Sequence, residues 1–491
     1  MITSLDDLQV ALARLELEHG DCLDLEAKTF SEYSTKAIAP SLCSLANLPG
    51  GGTILLGVGE RPDGPVVGVD LAHDMAKRVT NLARNGFSTE LQVDPHVLHL
   101  GDKSVVAVNV HELPVSQKPC MWQGKAYIRQ YDGDYTMSLQ EQQQFLSRRE
   151  RPRDDRTPVP GTSPIADLDP EAVTVFAASV RQSTPALADA TDDQILHRLN
   201  VVASSGEVTV AGLYALGVYP QQHLPHLALT AAVEPNIDAG PEARATNRKD
   251  FTGALPDILR RSVEWVAQNL ASTLVVTKDG RTDTDFAIPL VAVREVIANA
   301  LVHRDLSDAA AGRVVELRLT SKGMVLTSPG GLWGLSVDQL GTRDGKSAVN
   351  EFLYEICRHA GGPEGRVIEA MGTGIVTTKR VLREAGLEAP RFVDNGVRFT
   401  VFFPNHALHS HDDLAWIGSI DAAGLNSSQR EALLRMRAGA QVTNADYRTF
   451  AQVDSAQARS DLRELVRRGL VDRVGERRGT RYVLARPGQN G

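Results

Sequence analysis

The stretch "PLVAVREVIANALVHRDLS", residues 289–307, reads as one helix with two different faces. An apolar stripe at helical spacing can pack on a sheet; it consists of Val293, Ile297, Ala300 and Leu301. A second stripe is polar, because Glu295, Asn299 and His303 follow one another at four-residue intervals and therefore share a face. Packing alone does not require this polar stripe, which can be either an ordinary solvent-exposed face or a face that binds a ligand.

The chain that follows alternates between strands, glycine turns and helices. "RVVELRLTSKGMVLTSPGG" indicates two alternating strands that end at Gly330 and Gly331, and "EFLYEICRHAGG" indicates a helix. A turn at Gly372, Thr373 and Gly374 then opens another helix, whose first amides can hold phosphate. "PRFVDNGVRFTVFFP" adds an Asn-Gly hairpin. This order is typical of an α/β sandwich.

These residues resemble the Bergerat-fold (GHKL) ATPases, the family of gyrase, Hsp90, histidine kinases and MutL. More narrowly, they resemble the "RecG-like" ATP-binding module of bacterial transcriptional regulators. The resemblance implies that Asn299 holds Mg²⁺ against the phosphates of ATP and that Glu295 is the general base that orients water. It also assigns His303 and Asp305 to the nucleotide site, in the motif "HRD".

The glycine boxes of that family match less completely. Ser328 stands where the family has an Asp that binds adenine, and a neutral hydroxyl is a weaker acceptor. Gly330 and Gly331 continue this first box, and Gly372, Thr373 and Gly374 match the second. Binding with weak hydrolysis and binding without turnover both remain open.

The N-terminal stretches "LDLEAKTF", "LANLPGGGTILLGV" and "AYIRQYDGDYTMS" resemble the AlbA_2, or Schlafen-type, domain over about residues 5–140. The resemblance implies association with nucleic acid. In relatives with nuclease activity three acids form a metal-dependent site, and the match to "LEAK" puts Glu26 on one of them, with Asp21 and Asp63 near the others. The alternative is that all three are ordinary surface acids.

The C-terminal region is basic, since residues 421–491 carry 13 Arg against 8 Asp or Glu. Its order of three short helices and a hairpin resembles a winged helix-turn-helix. The resemblance implies a recognition helix in the DNA major groove, with a basic wing on the phosphates. The DNA-binding residues would be Ser455, Gln457, Arg459 and Arg463 on the helix, and Arg473, Arg477, Arg478 and Arg481 on the wing. Docking of another protein is the alternative for such a module.

The chain of 491 residues is too long for one core, so we expect an α+β multidomain protein. No run of about 18 apolar residues occurs and the N-terminus is acidic, which predicts a cytoplasmic protein that does not contact membranes. The predicted parts are an AlbA_2-like α+β domain (1–146), a linker (147–168), a mostly helical connecting lobe (169–270), a Bergerat-like α/β sandwich (271–405), a linker (406–424) and a winged helix-turn-helix (425–486).

Together these features predict a homo-oligomeric transcriptional regulator that binds ATP, Mg²⁺ and DNA, and whose nucleotide state switches its terminal domains. A metal-dependent Schlafen-like nuclease that acts on RNA or DNA through Asp21, Glu26 and Asp63 is the alternative.

Overall fold

The structure is a computed structural model of the whole chain. It describes residues 1–17, 21–30, 33–59, 66–130, 133–149, 152–234, 245–270, 272–276, 282–320, 323–342, 347–361, 366–368, 374–404, 416, 425–437, 439–451, 453–475 and 480–485. Two compact units result: residues 1–379 with 390–404, and residues 380–389 with 405–491. The fold is mixed α+β and multidomain, as the sequence predicts.

The N-terminal block contains a four-stranded sheet in the order β1-β2-β4-β3. Its elements are α1 (Leu5–Leu17), β1 (Leu25–Lys28), α2 (Thr35–Asn47), β2 (Gly52–Leu56), α3 (Ala72–Asn85), β3 (Val93–Leu100) and β4 (Lys103–Val110). Strand β2 is buried along its whole length because its alternate side chains enter different cores: Ile54 packs with α2 and α3, whereas Leu55 packs with α1. A glycine turn precedes this strand, with Gly50 and Gly51 at positive φ.

A small sheet and one helix complete this block. They are β5 (Met121–Trp122), β6 (Lys125–Gln130), β7 (Gly133–Thr136) and α4 (Leu139–Ser147). A capping box starts α4, because the Ser138 side chain and Glu141 satisfy each other's backbone amides. Phe145 of α4 packs against Ala126, Ile128 and Met137 of the block and also against Val397 from much later in the chain.

The segment predicted as a linker, of which residues 147–149 and 152–168 are described, contacts the rest of the unit through Asp155. Asp155 is buried and accepts hydrogen bonds from the backbone nitrogens of Phe352 and Leu353, at 2.8 and 3.3 Å. Four helices follow: α5 (Pro164–Asp167), α6 (Pro170–Ser183), α7 (Asp192–Arg198) and α8 (Val210–Leu216). Thr209 caps α8, since its side chain accepts from the amide of Gly212.

The second half of this unit is built on a six-stranded sheet in the order β14-β15-β13-β12-β8-β9. Its elements and the helices between them are β8 (Leu229–Val233), β9 (Thr246–Phe251), α9 (Leu255–Asn269), β10 (Ser272–Val276), β11 (Thr282–Phe286), α10 (Leu290–Val302), β12 (Val315–Thr320), β13 (Gly323–Pro329), α11 (Glu351–Cys357), α12 (Gly374–Glu384), β14 (Arg391–Asp394) and β15 (Arg398–Pro404). Strands β10 and β11 form a separate hairpin. On β12, buried Leu317 alternates with exposed Glu316 and Arg318, as expected for a sheet covered on one face.

The sheet of the sandwich therefore begins before residue 271, the predicted boundary. Strand β8 pairs in parallel with β12, with Leu229 opposite Val315, and β9 forms the edge. Sequence periodicity does not reveal this pairing, because α9, α10 and a hairpin separate the two partner strands.

The C-terminal unit contains α13 (Ser427–Arg437), α14 (Asn444–Ala451), α15 (Ser455–Arg467), β16 (Val471–Val474) and β17 (Arg481–Leu484). Asp454 caps α15 by accepting from the amides of Ala456 and Gln457, and Gly469 follows the helix at positive φ. Ala458, Leu462 and Leu465 form a buried stripe on α15. Helices and hairpin thus occur in the predicted order.

None of the helices in the described part of the chain has both the length and the apolar character that a membrane crossing requires.

Candidate nucleotide-binding site

A cavity of about 360 Å³ opens between α10 and the sheet. It brings together seven of the predicted nucleotide-site residues, namely Glu295, Asn299, His303, Ser328, Gly330, Gly331 and Gly374. The rest of its wall is largely apolar and aromatic, with Trp333, Tyr354, Phe392 and Phe399 among the lining residues. A concave, mostly apolar site with a few polar groups is the usual form of a small-molecule site.

The polar stripe of α10 faces this cavity, while its apolar stripe is buried. Val293, Ile297 and Leu301 are fully buried on the other side of the helix. Glu295 and Asn299 are half-buried, and Asn299 Nδ2 donates to Glu295 Oε1 at 3.0 Å. With its nitrogen used in this way, the Asn299 amide leaves its oxygen available to a ligand.

Ser328 occupies the position on β13 that faces α10. Its hydroxyl is buried and donates to the carbonyl of Ala300 at 3.1 Å. Since that bond uses the only proton of the hydroxyl, Ser328 presents lone pairs to the cavity and can act there only as an acceptor.

The glycine turn after β13 is held by close packing. An ideal Cβ at Gly330, whose φ is +86°, would lie 2.7 Å from Asp305 Cβ. An ideal Cβ at Gly331 would overlap Asp394 Oδ1. The same Asp394 carboxylate accepts from the amide of Leu332 at 2.8 Å. Both glycines are therefore needed for the approach of these carboxyl side chains.

Gly374 begins α12 directly against Glu295. An ideal Cβ there would overlap Glu295 Oε1, so any larger residue would displace the carboxylate. The other two residues of the predicted second glycine box, Gly372 and Thr373, lie outside the described residues.

His303 ends α10 and lines the cavity beside Tyr354, with 6.0 Å between the ring centroids. Desolvation lowers the pKa of His303 to about 4, so the imidazole is neutral at physiological pH. His303 therefore supplies a hydrogen-bonding ring and no positive charge. No Lys or Arg occurs among the described residues that line the cavity.

Two residues that the sequence did not reveal fix the end of α10. Arg304 is fully buried and donates to the carbonyls of His226 at 2.8 Å and Arg313 at 2.6 Å. Asn350 Nδ2 donates to the carbonyls of Val302 and Arg304, both at 2.8 Å. The bond from Asn350 to Val302 satisfies a carbonyl that the end of α10 leaves open. The only sequence signal was the position of Arg304 between His303 and Asp305.

The structure brings two of the three predicted nuclease acids together, but around an arginine. Arg129 Nη1 lies 3.0 Å from Glu26 Oε2 and 3.1 Å from Asp134 Oδ1, and Arg129 Nη2 lies 3.4 Å from Asp21 Oδ2. Lys28 Nζ lies 2.6 Å from Glu26 Oε1. Burial raises the pKa of Glu26, as does the nearby Asp134, whereas the two cations oppose this rise.

This cluster is a buried ion-pair network, and Asp63 lies outside the described residues. Glu26 also accepts from the Ser41 hydroxyl at 2.9 Å. Within the described ranges, no group of three His, Cys, Asp or Glu side chains is arranged to hold a metal ion.

Three of the predicted DNA-binding residues of α15, Ser455, Gln457 and Arg459, form bonds within the helix. Gln457 Nε2 donates to Asp461 Oδ1 at 2.9 Å, and Arg459 Nη2 donates to Ser455 Oγ at 3.1 Å. Arg463 is exposed and has no hydrogen bond or ion pair with other described residues. On the hairpin Arg473 is equally exposed, and Arg481 donates to Gln441 at 2.6 Å. Arg477 and Arg478 lie outside the described residues.

Two family models match parts of the chain. The model described as "Schlafen, AlbA_2" matches residues 22–138. The model described as "Putative ATP-dependent DNA helicase recG C-terminal", an ATPase-type domain, matches residues 312–403. The chain therefore combines a Schlafen-type AlbA_2 domain with a RecG-like ATPase-type domain, which confirms these two resemblances.

Solved structures give more distant similarities. The DIP2311 protein of Corynebacterium diphtheriae is 15% identical, with 97% of this chain and 96% of that chain covered and a TM-score of 0.43. The N-terminal domain of a "Putative ATP-dependent DNA Helicase RecG-related Protein" of Nitrosomonas europaea is 23% identical, covers 28% of this chain and 95% of its own, and has a TM-score of 0.22. No curated protein matches the chain significantly.

Proposed function

We propose that this protein binds ATP in the cavity beside α10 and acts as a DNA-binding transcriptional regulator controlled by that nucleotide. The observation that supports it most is the hydrogen-bonded pair of Glu295 and Asn299, which faces a cavity of nucleotide size. The ATPase-type family match includes the strands that form the opposite wall. Calorimetric titration of the full chain with Mg·ATP tests the proposal, and absence of binding would refute it.

The polar groups of the cavity suit the different parts of the nucleotide. The aromatic and aliphatic wall suits the adenine ring, and the lone pairs of Ser328 suit its exocyclic amino group. The oxygen of Asn299 suits Mg²⁺, which prefers oxygen ligands and shares them with phosphates. Bound Mg²⁺ would neutralise the phosphates. Glu295, held by Asn299, would accept a proton from water in any hydrolysis.

Replacing Ser328 by alanine should weaken ATP binding without weakening GTP binding. One hydrogen bond to the adenine amino group is lost, which corresponds to an increase of about three- to tenfold in the Kd for ATP. GTP presents a carbonyl at that position, so it gains nothing from the lone pairs of Ser328. Competition titrations with both nucleotides measure the change.

The matched control for this substitution is Ser262→Ala on α9. Ser262 is also fully buried and donates to a helix carbonyl, that of Leu259 at 2.9 Å, but it does not line the cavity. An equal loss of ATP affinity in both variants would contradict base recognition by Ser328.

For the C-terminal unit we propose DNA binding through α15 in a winged-helix arrangement. Arg459, Arg463 and Arg467 follow one another at four-residue intervals along an exposed face of the helix. Glu464 pairs with Arg467 at 2.6 Å, which leaves Arg459 and Arg463 as the cations for DNA phosphates. Neutralising phosphates releases counterions, so the affinity should fall steeply with salt.

The double substitution Arg459→Ala, Arg463→Ala should reduce the salt dependence of DNA binding. The slope of log K against log salt should become shallower by roughly 2, because each arginine is expected to neutralise one phosphate. Fluorescence anisotropy with mixed-sequence duplex DNA at several salt concentrations measures it. Arg260→Ala, which removes an exposed arginine paired with Asp257 and Glu264 on α9, is the control. An unchanged slope in the double variant would count against α15.

The AlbA_2 match supports a further proposal, that the N-terminal domain associates with nucleic acid. This proposal does not include cleavage, because Arg129 and Lys28 pair with the carboxylates that such a site would need.

A further inference from the structure

We propose that Arg148, which follows the last helix of the N-terminal block, is a positioning residue for the nucleotide cavity. Nucleotide affinity would then depend on how the N-terminal domain is seated against the ATPase-type domain. This inference rests on the proposed nucleotide function and adds to it a route of regulation.

Arg148 binds the backbone of two neighbouring turns, the glycine turn after β13 and the turn between β14 and β15. Its guanidinium donates to the carbonyls of Leu332 and Gly396. Leu332 directly follows Gly331 and lines the cavity with it. An ideal Cβ at Gly331 would lie 2.9 Å from Arg148 Nη1, so the guanidinium lies directly against the turn.

Asp394 holds the same backbone through its amides. Its carboxylate accepts from the amides of Leu332 and Gly396, both at 2.8 Å. Burial raises the pKa of Asp394, and the charge of Arg148 opposes that rise. The cation holds the carbonyls and the anion holds the amides of the same two residues, so the conformation of the turn depends on both.

Helix α4 ties Arg148 firmly to both domains. Gln144, one turn before it, accepts from Arg313 Nη1 at 2.9 Å, and Gln140 donates to the carbonyl of Ala311 at 3.0 Å. Phe145 packs between the small N-terminal sheet and Val397. Any shift of α4 against the ATPase-type domain would therefore move Arg148 relative to the turn.

The turn also has a small cavity behind it, of about 20 Å³, which is room for about one water molecule. Arg148 and Asp154 line this cavity only, whereas His303, Gly330 and Gly331 line both this cavity and the nucleotide cavity. The turn thus has space on two sides, and the hydrogen bonds of Arg148 and Asp394 set its position together with the close contacts of Gly330 and Gly331. By linkage, a nucleotide that binds against the turn would also stabilise the contact between Arg148 and the turn.

Substitution of Arg148 by methionine keeps much of the side-chain volume and removes the guanidinium. We expect the Kd for Mg·ATP, measured by calorimetry on the full chain, to rise about tenfold, within the usual range of coupling between sites. Arg149→Met is the matched control, because Arg149 is the next residue and its Nε donates to the carbonyl of Lys118, inside the N-terminal block. Arg148→Lys keeps the charge but loses the planar guanidinium that donates to two carbonyls at once, so it should give an intermediate Kd.

A double-mutant cycle separates positioning from general loss of stability. Arg148→Met, Asp394→Asn and the double variant should be non-additive in log Kd, because both residues act through the turn at Leu332. Additive effects, or a Kd for Arg148→Met equal to that of Arg149→Met, would overturn the role of Arg148. Should Arg148→Met not fold, the same comparison is made between Arg148→Lys and Arg149→Lys. A wild-type chain that does not bind Mg·ATP would instead overturn the nucleotide function itself.

Discussion

Replacing Asn299 by alanine should abolish Mg·ATP binding, with a rise in Kd of at least about 100-fold. Loss of groups that only support a metal ligand already costs about 10- to 100-fold in metal affinity, and Asn299 is proposed to bind the metal itself. The cavity adds to the effect, because its described lining contains the carboxylate of Glu295 and no Lys or Arg to offset the phosphates. Isothermal titration with and without Mg²⁺ measures the loss.

Two controls distinguish a loss of metal binding from a collapse of the cavity. Asn269→Ala makes the same change on α9, where Asn269 Nδ2 donates to the Trp265 carbonyl at 2.7 Å and does not line the cavity. Adenosine, which has no phosphates, should bind the Asn299→Ala variant as it binds the wild type. Loss of adenosine binding would indicate a collapsed cavity, and a Kd for Mg·ATP within about threefold of wild type would contradict the metal role of Asn299.

Replacing Arg129 by methionine should destabilise the N-terminal domain by about 3–5 kcal/mol at neutral pH. Arg129 is 1% exposed and contacts Glu26, Asp134 and Asp21, so its removal leaves buried carboxylates without their cation. Hydrogen exchange of the amides of β1 and β6 measures this locally, which suits a chain with several domains. Arg84→Met, which breaks an exposed pair with Glu90, should cost no more than about 1 kcal/mol. Equal exchange rates in the two variants would contradict this prediction.

The same variant should become relatively more stable as the pH falls. In the wild type, burial already raises the pKa of Glu26 above its unfolded value. A carboxyl group with a raised pKa favours the folded state when protonated, and that contribution is lost as the pH rises through the folded pKa. Without Arg129 the pKa should rise further, so the destabilisation should shrink between neutral pH and about pH 5. A loss that grows on acidification would refute this assignment.

The residues around α10 show what sequence patterns can reveal. Its two stripes are a local property of helical spacing, so the sequence shows which residues share the apolar face and which share the polar face. The alternation on β12 and the Asn-Gly turn before β15 are equally local. Arg304 and Asn350 were missed because their partners are backbone carbonyls, which carry no sequence signal.

The acidic residues of the N-terminal domain show what a local sequence pattern cannot reveal. Glu26 matches an acid of a metal-dependent site by type and position, but its partner Arg129 lies 103 residues further along the chain. A short sequence motif gives no information about a cation that lies so far away along the chain. The pairing of β8 with β12 was hidden for the same reason, since α9, α10 and a hairpin lie in the chain between Leu229 and its ladder partner Val315.

The positions of β8 and β9 show how far the complete ATPase-type domain extends along the chain. The family-matched window of residues 312–403 includes β12 to β15 but neither the two outer strands nor α10, which carries Glu295 and Asn299. A fragment of that length would leave one edge of the sheet unpaired and would contain only one wall of the binding site. A fragment that keeps the whole sheet and the binding site must therefore begin at or before β8, and one that also keeps the contact of Arg148 with the glycine turn must include α4.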